Sequence, residues 1–145
     1  MNDGTLLSNR VRAFLAAPRR FATLATSGPD GAPRQAVIWY RLDANDRITI
    51  NSAEGRRWPA DLRRNPRCSL VIIDPADGYS FVALDGRVVE VIDDQETAQA
   101  DIAGLARAYY TDEPEEAESS IERFRAQQRV SFRVAIVAAH DHLED

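Results

Sequence analysis

Short runs rich in apolar, β-branched and aromatic residues recur along the chain and are typical of β-strands. Segments rich in glycine, proline, aspartate and asparagine separate these runs and predict tight turns between antiparallel neighbours. The pattern predicts six strands, at residues 21–26, 35–42, 47–51, 68–74, 79–91 and 130–138.

Two longer segments have apolar side chains three or four positions apart and predict amphipathic helices. The first covers residues 5–17 and stops before Pro18, and the second covers residues 94–110. A third, shorter helix is expected to include Pro59 in its first turn, with Asp61 placed to interact with the positive end of the helix dipole.

Two further features refine this pattern. Gly86 interrupts the strand at 79–91 and predicts a bulge or a bend, because glycine inside a strand removes a packing side chain. Ser119 and Glu122 have the spacing of a capping box, which predicts a short helix after an acidic loop at 112–118.

Six antiparallel strands with a few peripheral helices indicate an α+β protein, mainly β, built on an antiparallel barrel. The sequence has neither the alternation of strands and helices nor the G-x-G-x-x-G motif of a dinucleotide-binding fold. Its 145 residues are expected to form a single domain, 1–145. A cytoplasmic location is expected, since no apolar run reaches the ~18 residues that cross a bilayer and the first residues lack the apolar stretch of a signal peptide.

Cysteine and histidine offer little for metal or nucleophilic chemistry. Cys68 is the only cysteine and lies in a predicted strand, 68–74, that is apolar on both faces and is expected to be covered on both sides. His140 and His142 lie close to the end of the sequence and are expected to fray. No metal site and no catalytic acid–base residue are predicted.

Charge is distributed unevenly. The formal net charge is −5 and every cation is an arginine, with 12 arginines and 6 acidic residues in 1–67 against 6 arginines and 17 acidic residues in 68–145. Guanidinium groups suit bidentate contacts with phosphate or carboxylate. A short basic cluster in an acidic chain favours a small anionic ligand over a nucleic acid. The cluster consists of Arg56, Arg57, Arg63, Arg64 and Arg67.

The segment ITINSAEGRRWPADLRRNPR combines the elements of an anion site. A strand ends at Asn51 and Ser52, a glycine loop follows, and Arg56 and Arg57 precede a helix whose first N–H groups have no helical partner. The alternative is a capped helix with exposed arginines. Because signatures such as G-x-S-x-G and H-E-x-x-H are absent, an enzyme of this sequence is expected to borrow its reactive group from a cofactor.

The chain resembles the pyridoxamine 5'-phosphate oxidase-like split β-barrel superfamily and, within it, the F420-dependent (deazaflavin) oxidoreductase B subgroup. The resemblance lies in FATLAT, DGAPRQAVIWY, ITINSAEGRRWPADLRRNPRCSLVIIDP and YSFVALDGRVVEV, which occur in the matching order. It implies a six-stranded split barrel with peripheral helices. It also implies a homodimer that binds its cofactor between the subunits.

The resemblance further implies which residues bind the cofactor. One strand lies along the flavin-like ring, the following loop and helix start hold the phosphate-bearing tail, and a tyrosine lines the groove. Many relatives have a lysine where this chain has Trp58, which either stacks on a ring or packs under the loop. The implied cofactor-binding residues are Gln35, Ala36, Val37, Ile38, Asn51, Ser52, Arg56, Arg57, Trp58 and Tyr79.

Three functions follow from this resemblance. The first is hydride transfer from reduced coenzyme F420 to an unsaturated small molecule, with a proton supplied by solvent or by Tyr40 or Tyr79. The second is an FMN-dependent oxidoreductase of the same fold, and the third is a non-catalytic protein that binds F420, FMN or haem. Pyridoxamine phosphate oxidation is not expected, because the arginine-containing C-terminal motif is missing from HDHLED.

Overall fold

The computed structural model describes residues 7–143, which form one curled antiparallel sheet of seven strands with four helices. The strand order across the sheet is β2-β1-β5-β6-β7-β4-β3. The strands are β1 (Ala22–Ser27), β2 (Pro33–Ile38), β3 (Arg41–Leu42), β4 (Arg47–Ala53), β5 (Arg67–Ile73), β6 (Phe81–Ile92) and β7 (Arg129–His142). The helices are α1 (Asn9–Ala16), α2 (Arg57–Arg64), α3 (Gln95–Tyr109) and α4 (Pro114–Arg125).

The inner face of the sheet encloses the hydrophobic core. Directly paired residues on β1, β5 and β6 point to this face, and Leu24, Leu70 and Leu84 form one such row. Ile50 and Phe132 form an equivalent pair on β4 and β7. All five side chains are almost completely buried. The expected antiparallel split barrel is therefore confirmed, although the strand count is seven and not six.

The seventh strand arises because the predicted strand 35–42 breaks at Trp39 and Tyr40. The chain leaves β2 at one edge of the sheet and enters β3 at the other edge. At the break, the Tyr40 hydroxyl donates a hydrogen bond to the Leu15 carbonyl at 2.6 Å, and the Tyr40 N–H donates to the Tyr109 hydroxyl at 3.1 Å. The second bond satisfies a backbone N–H that a continuous strand would pair with a neighbouring strand.

The bulge predicted at Gly86 is confirmed. The pairing of β6 with β7 shifts register between Asp85 and Gly86, and again between Val88 and Glu90. A Cβ atom at Gly86 would lie 2.6 Å from the Val134 side chain, which explains why a residue without a side chain occupies this position.

The helices predicted as α1, α3 and α4 are all present, but α4 begins earlier than predicted. Ser8 caps α1 by accepting from the Val11 N–H, so the helix begins later than predicted, and residues 5 and 6 lie outside the described residues. The expected acidic loop at 112–118 is wrong, because Pro114 begins α4 and Ser119 lies inside that helix. Proline favours the first turn of a helix, and this signal outweighs the capping-box pattern.

Asp61 does not lie in the first turn of its helix as predicted. Because α2 already begins at Arg57, Asp61 falls in the second turn, and its carboxylate is buried against the sheet. Pro59 does lie in the first turn, as expected.

Two predictions about exposure are wrong. The outer face of β5 is not covered, since Val71 and Ile73 are 40% and 41% exposed. His140 and His142 do not fray, because β7 continues through His142 and pairs with β6 to that point. Within residues 7–143, no helix is long and apolar enough to span a bilayer.

Candidate functional site

Two adjoining cavities lie where the opposite edges of the curled sheet approach each other. We call the larger one, of about 380 Å³, the aromatic cleft. We call the smaller one, of about 340 Å³, the arginine pocket. Ala36, Arg56 and Trp58 line both. The other cleft residues are Phe21, Val37, Ile38, Trp39, Asn51, Ser52, Ala53, Ile102, Leu105, Phe124 and Arg129. The other pocket residues are Thr26, Arg34, Gln35, Gly55, Arg57 and Asp61.

The arginine pocket lies at the N-terminus of α2. Arg56 is the N-cap residue, and its side chain makes no capping hydrogen bond, so the first N–H groups of the helix stay available. Gly55 has a φ of 93°, a left-handed conformation that lets the chain turn sharply from β4 into the helix. The Arg56 and Arg57 side chains are exposed, and no hydrogen bond or ion pair to either is found within residues 7–143. The start of α2 therefore presents two free cations and a positive dipole end.

Asp61 forms the buried wall of the arginine pocket. Its carboxylate accepts from the Thr26 hydroxyl at 2.9 Å and from Arg64 at 2.7 Å, and Arg34 lies 3.5 Å away. Burial alone would raise the pKa of Asp61, but the hydrogen bonds from Arg64 and Thr26 and the charge of Arg34 outweigh it and lower the pKa. Asp61 is thus a fully paired anion, whereas Arg56 and Arg57 keep their charge for a ligand.

Trp39 and Phe124 line the aromatic cleft and belong to a packed cluster of rings. Trp39 stacks on Tyr109, with centroids 5.0 Å apart and planes at 12°. The edges of Tyr110 and Phe124 meet the same indole at 5.6 and 6.4 Å. Because the Tyr109 hydroxyl also donates to the Arg20 carbonyl at 2.5 Å, the stack is anchored to the backbone. Such a wall suits a flat conjugated molecule.

Trp58 is largely buried. Its indole lies against the Phe132 ring with centroids 5.5 Å apart, while another part of it lines both cavities. The side chain therefore packs under the loop and also forms part of the partition between the cleft and the pocket.

Arg129, which the sequence analysis did not single out, lies at the floor of the aromatic cleft and is only 5% exposed. Its Nε donates to Asn51 Oδ1 at 3.0 Å, its Nη1 donates to Gln127 Oε1 at 2.6 Å, and its guanidinium lies 4.7 Å from the centroid of Phe124. All three neighbours are uncharged. Burial and the nearby charge of Arg56 lower the pKa of Arg129 to about 10.

The two polar strand residues of the predicted site are already engaged. The Asn51 amide donates to the Ala98 carbonyl at 3.0 Å and to the Ser131 hydroxyl at 2.8 Å, besides accepting from Arg129. The Ser52 hydroxyl donates to the Ala53 carbonyl at 2.9 Å. Asn51 therefore orients Arg129, and its expected contact with a phosphate stays a prediction.

Nine of the ten predicted cofactor-binding residues line one of the two cavities, and Tyr79 does not. The Tyr79 ring lies on the outer side of the sheet, 4.5 Å from the ring of His142, and is 56% exposed. The expected proton donor Tyr40 is also absent from both cavity walls, and burial raises its pKa, so it does not serve the cleft. A role for Tyr79 in a cofactor groove stays a prediction.

The chemistry of the remaining candidates is limited. Burial raises the pKa of the half-buried Cys68 thiol to about 11, which leaves little reactive thiolate at neutral pH. In the part of the chain that the structure describes, no cluster of three or more histidine, cysteine or acidic side chains is arranged to hold a metal.

A sequence model of the family described as pyridoxamine 5'-phosphate oxidase matches residues 7–141. The chain belongs to this family. Its members are oxidoreductases, and their fold binds flavin-type cofactors.

Solved structures of other proteins show the same fold. An F420 reductase has a TM-score of 0.74 and 22% identity, covering 92% of this chain and 98% of its own. A conserved hypothetical protein from Mycobacterium tuberculosis has a TM-score of 0.69 and 20% identity, covering 99% and 94% of the two chains. A putative pyridoxamine 5'-phosphate oxidase from Listeria innocua has a TM-score of 0.66 and 14% identity, covering 92% and 95%.

Proposed function

We propose that this family member is an F420-dependent oxidoreductase, which transfers a hydride from the reduced deazaflavin to an unsaturated small molecule. The observation that supports it most is that two cavities of different chemistry adjoin each other and share Arg56 and Trp58. An elongated cofactor with a flat ring and an anionic tail needs this combination. The similarity to an F420 reductase also favours a deazaflavin.

The residues around the cavities fit the two parts of such a cofactor. Arg56, Arg57 and the free N–H groups of α2 offer charge-assisted hydrogen bonds to a phosphate-bearing tail. The strand Gln35–Ile38 borders the cleft through Ala36, Val37 and Ile38, where a ring can lie along the edge of the sheet. When bound, the reduced deazaflavin supplies the hydride.

The protein's own contribution is orientation. The rings and the aliphatic side chains of Ile102 and Leu105 line part of the cleft and limit the poses open to a substrate. No histidine, cysteine, tyrosine or carboxylate lines the cleft in the described residues. We therefore assign the proton to solvent.

We also propose that the protein is a homodimer formed through the outer face of the sheet. Val37 and Val71 flank Thr23 on this face, and Ile73 pairs with Phe81 beside them. We call these apolar residues, together with Tyr79, the outer patch. Val37 is 70% exposed and also lines the cleft, so a second copy seated on the patch would cover the open side of the cofactor site.

The cofactor assignment is tested by titrating the purified protein with F420 and with FMN and following the fluorescence of each. We expect F420 to bind more tightly. Tighter binding of FMN would favour the FMN-dependent oxidoreductase. Tight binding of F420 without oxidation of the reduced cofactor across a panel of enones and conjugated acids would favour a non-catalytic binding protein.

The dimer is tested by sedimentation equilibrium of Val71→Asp. We expect a shift toward monomer together with weaker cofactor binding, because a charge in an apolar interface must be desolvated. Val89→Asp, at an exposed valine outside the outer patch, is the matched control. A wild-type protein that is monomeric at all concentrations would contradict the proposed dimer.

A further inference from the structure

The cleft contains a buried positive charge that the protein itself does not neutralise. Arg129 is the buried arginine at the floor of the cleft, and no carboxylate within residues 7–143 pairs with it. Its hydrogen bonds to Asn51 and Gln127 use Nε and Nη1 and leave Nη2 without an acceptor in the described residues. Buried cations are normally paired, because desolvation of an isolated charge is costly.

Arg56 adds a second positive charge to the cleft beside Arg129. Arg56 lines the same cleft and lowers the pKa of Arg129, so the two cations face a shared space. No acidic side chain lines the cleft, and most of the remaining lining is aromatic or aliphatic. An anion that entered the cleft would meet two guanidinium groups and no carboxylate, so it would be attracted by both positive charges.

The cofactor tail already has a different binding region. Arg57, Arg34 and the N-terminus of α2 border the arginine pocket, and Arg129 does not. The ring wall formed by Trp39 and Phe124 stands beside Arg129, and the guanidinium packs on the Phe124 ring. An anion at Arg129 would therefore be attached to a flat group that lies in the cleft.

From this geometry, and on the basis of the proposed function, we propose that Arg129 is a substrate-binding residue, and that the substrate is a planar conjugated molecule with a carboxylate that Arg129 binds. Asn51 is a positioning residue, since its side chain fixes Nε of Arg129 while Nη2 has no acceptor among the described residues. This arrangement fixes one end of the substrate and so determines which of its carbons faces the hydride donor.

The test uses two probes of nearly equal shape, trans-cinnamate and the neutral trans-cinnamamide. Each is titrated by calorimetry into the protein saturated with F420. We expect cinnamate to bind at least about tenfold more tightly than cinnamamide, as a charge-assisted hydrogen bond to a buried guanidinium predicts. An equal affinity for the two probes in the wild-type protein would overturn the proposal without any variant.

Arg129→Met and Arg129→Lys then assign the preference to this side chain. We expect Arg129→Met to abolish the preference for cinnamate and Arg129→Lys to retain part of it, since lysine keeps the charge but loses the planar fork. Arg123→Met, at an exposed arginine of α4 outside both cavities, is the control. If Arg129→Met does not fold, Arg129→Lys and the wild-type comparison still decide the question.

Two cofactor titrations distinguish whether the anion that Arg129 binds is a substrate carboxylate or the phosphate of the cofactor tail. Each variant is titrated with F420 and with the deazaflavin that lacks the phosphate tail. If Arg129→Met weakens F420 at least about tenfold and leaves the phosphate-free compound unaffected, Arg129 holds the tail and the proposal is wrong. If the wild-type protein binds no F420, the proposed function fails, and the cinnamate preference measured without cofactor still tests the carboxylate site.

Discussion

Two arginines on β7, four residues apart, have opposite electrostatic surroundings. Arg133 donates to Asp101 at 2.7 Å and to the Thr49 hydroxyl at 3.2 Å, and Arg41 lies 3.5 Å from the same carboxylate. Arg129 is more deeply buried, but its partners are neutral amides and an aromatic ring. One strand therefore contains a compensated and an uncompensated cation.

The difference separates a structural role from a binding role. The carboxylate of Asp101 joins α3 to β7 and β3 and gives the charge of Arg133 a partner within the protein. Arg129 opens into the aromatic cleft, where its charge is available to a ligand. Burial alone does not distinguish the two residues, whereas the identity of their partners does.

The largest expected effect is the loss of the compensated cluster. Asp101→Ala removes the partner of Arg133 and leaves a largely buried cation, so we expect the free energy of unfolding to fall by about 3 kcal/mol. Arg129→Met leaves no charge without a partner and is expected to cost less than half as much. Urea denaturation measures both, and an equal loss in the two variants would contradict the distinction.

Asp61→Asn tests the compensated carboxylate of the arginine pocket. Losing the charge-assisted hydrogen bond from Arg64 and the ion pair with Arg34 is expected to lower the free energy of unfolding by about 2 kcal/mol at neutral pH. Because the pKa of Asp61 is lowered in the folded protein, its stabilisation is complete above the ordinary value of 3.8 and is lost as the pH falls through the lowered value. The urea midpoints of the two proteins should therefore differ constantly at pH 5–7 and converge below about pH 4; a constant difference down to pH 2 would contradict this.

Arg56→Ala removes one of the uncompensated cations. We expect the affinity for F420 to fall by at least about 1.5 kcal/mol, which is roughly tenfold, with little change in stability. Fluorescence titration measures the affinity, and Arg67→Ala, at an exposed arginine outside both cavities, serves as the control. An unchanged affinity would remove Arg56 from the cofactor site.

The smallest effect is expected for a paired arginine on the surface. Arg107 and Glu118 connect α3 to α4 at 2.9 Å, but both side chains are more than half exposed. Solvent screens such pairs, so Arg107→Met should not measurably change the urea midpoint. A loss as large as that of Asp101→Ala would contradict the expectation that exposure makes this pair weak.

The sequence predicts the parts of this fold that local signals define. Turn-forming residues separate the strands, Gly86 marks a bulge, and the Asn51–Trp58 segment leads into a helix start between two cavities. The break at Trp39 and Tyr40 escapes prediction, because the residues on either side keep a strand-like pattern and the break depends on hydrogen bonds to Leu15 and Tyr109.

The role of Arg129 is not predicted from the sequence for the same reason. Locally it is one arginine before an apolar strand, a pattern that predicts a surface charge. Its role depends on Asn51, 78 residues earlier, which the pairing of β4 with β7 brings into contact. Only one sequence signal could have identified it: a cation that lies directly before a strand and has no carboxylate near it in the sequence.

The position of β7 in the sheet determines when the binding site forms during folding. β4 joins the main sheet only through β7, and the bonded side chains of Asn51 and Ser131 are 80 residues apart along the chain. Closing so long a loop is slow compared with forming the β1–β2 hairpin. We expect the cleft to form in the last kinetic step of refolding. The change in ligand fluorescence on binding would therefore report the pairing of β7 with β4 and not the formation of the earlier hairpins.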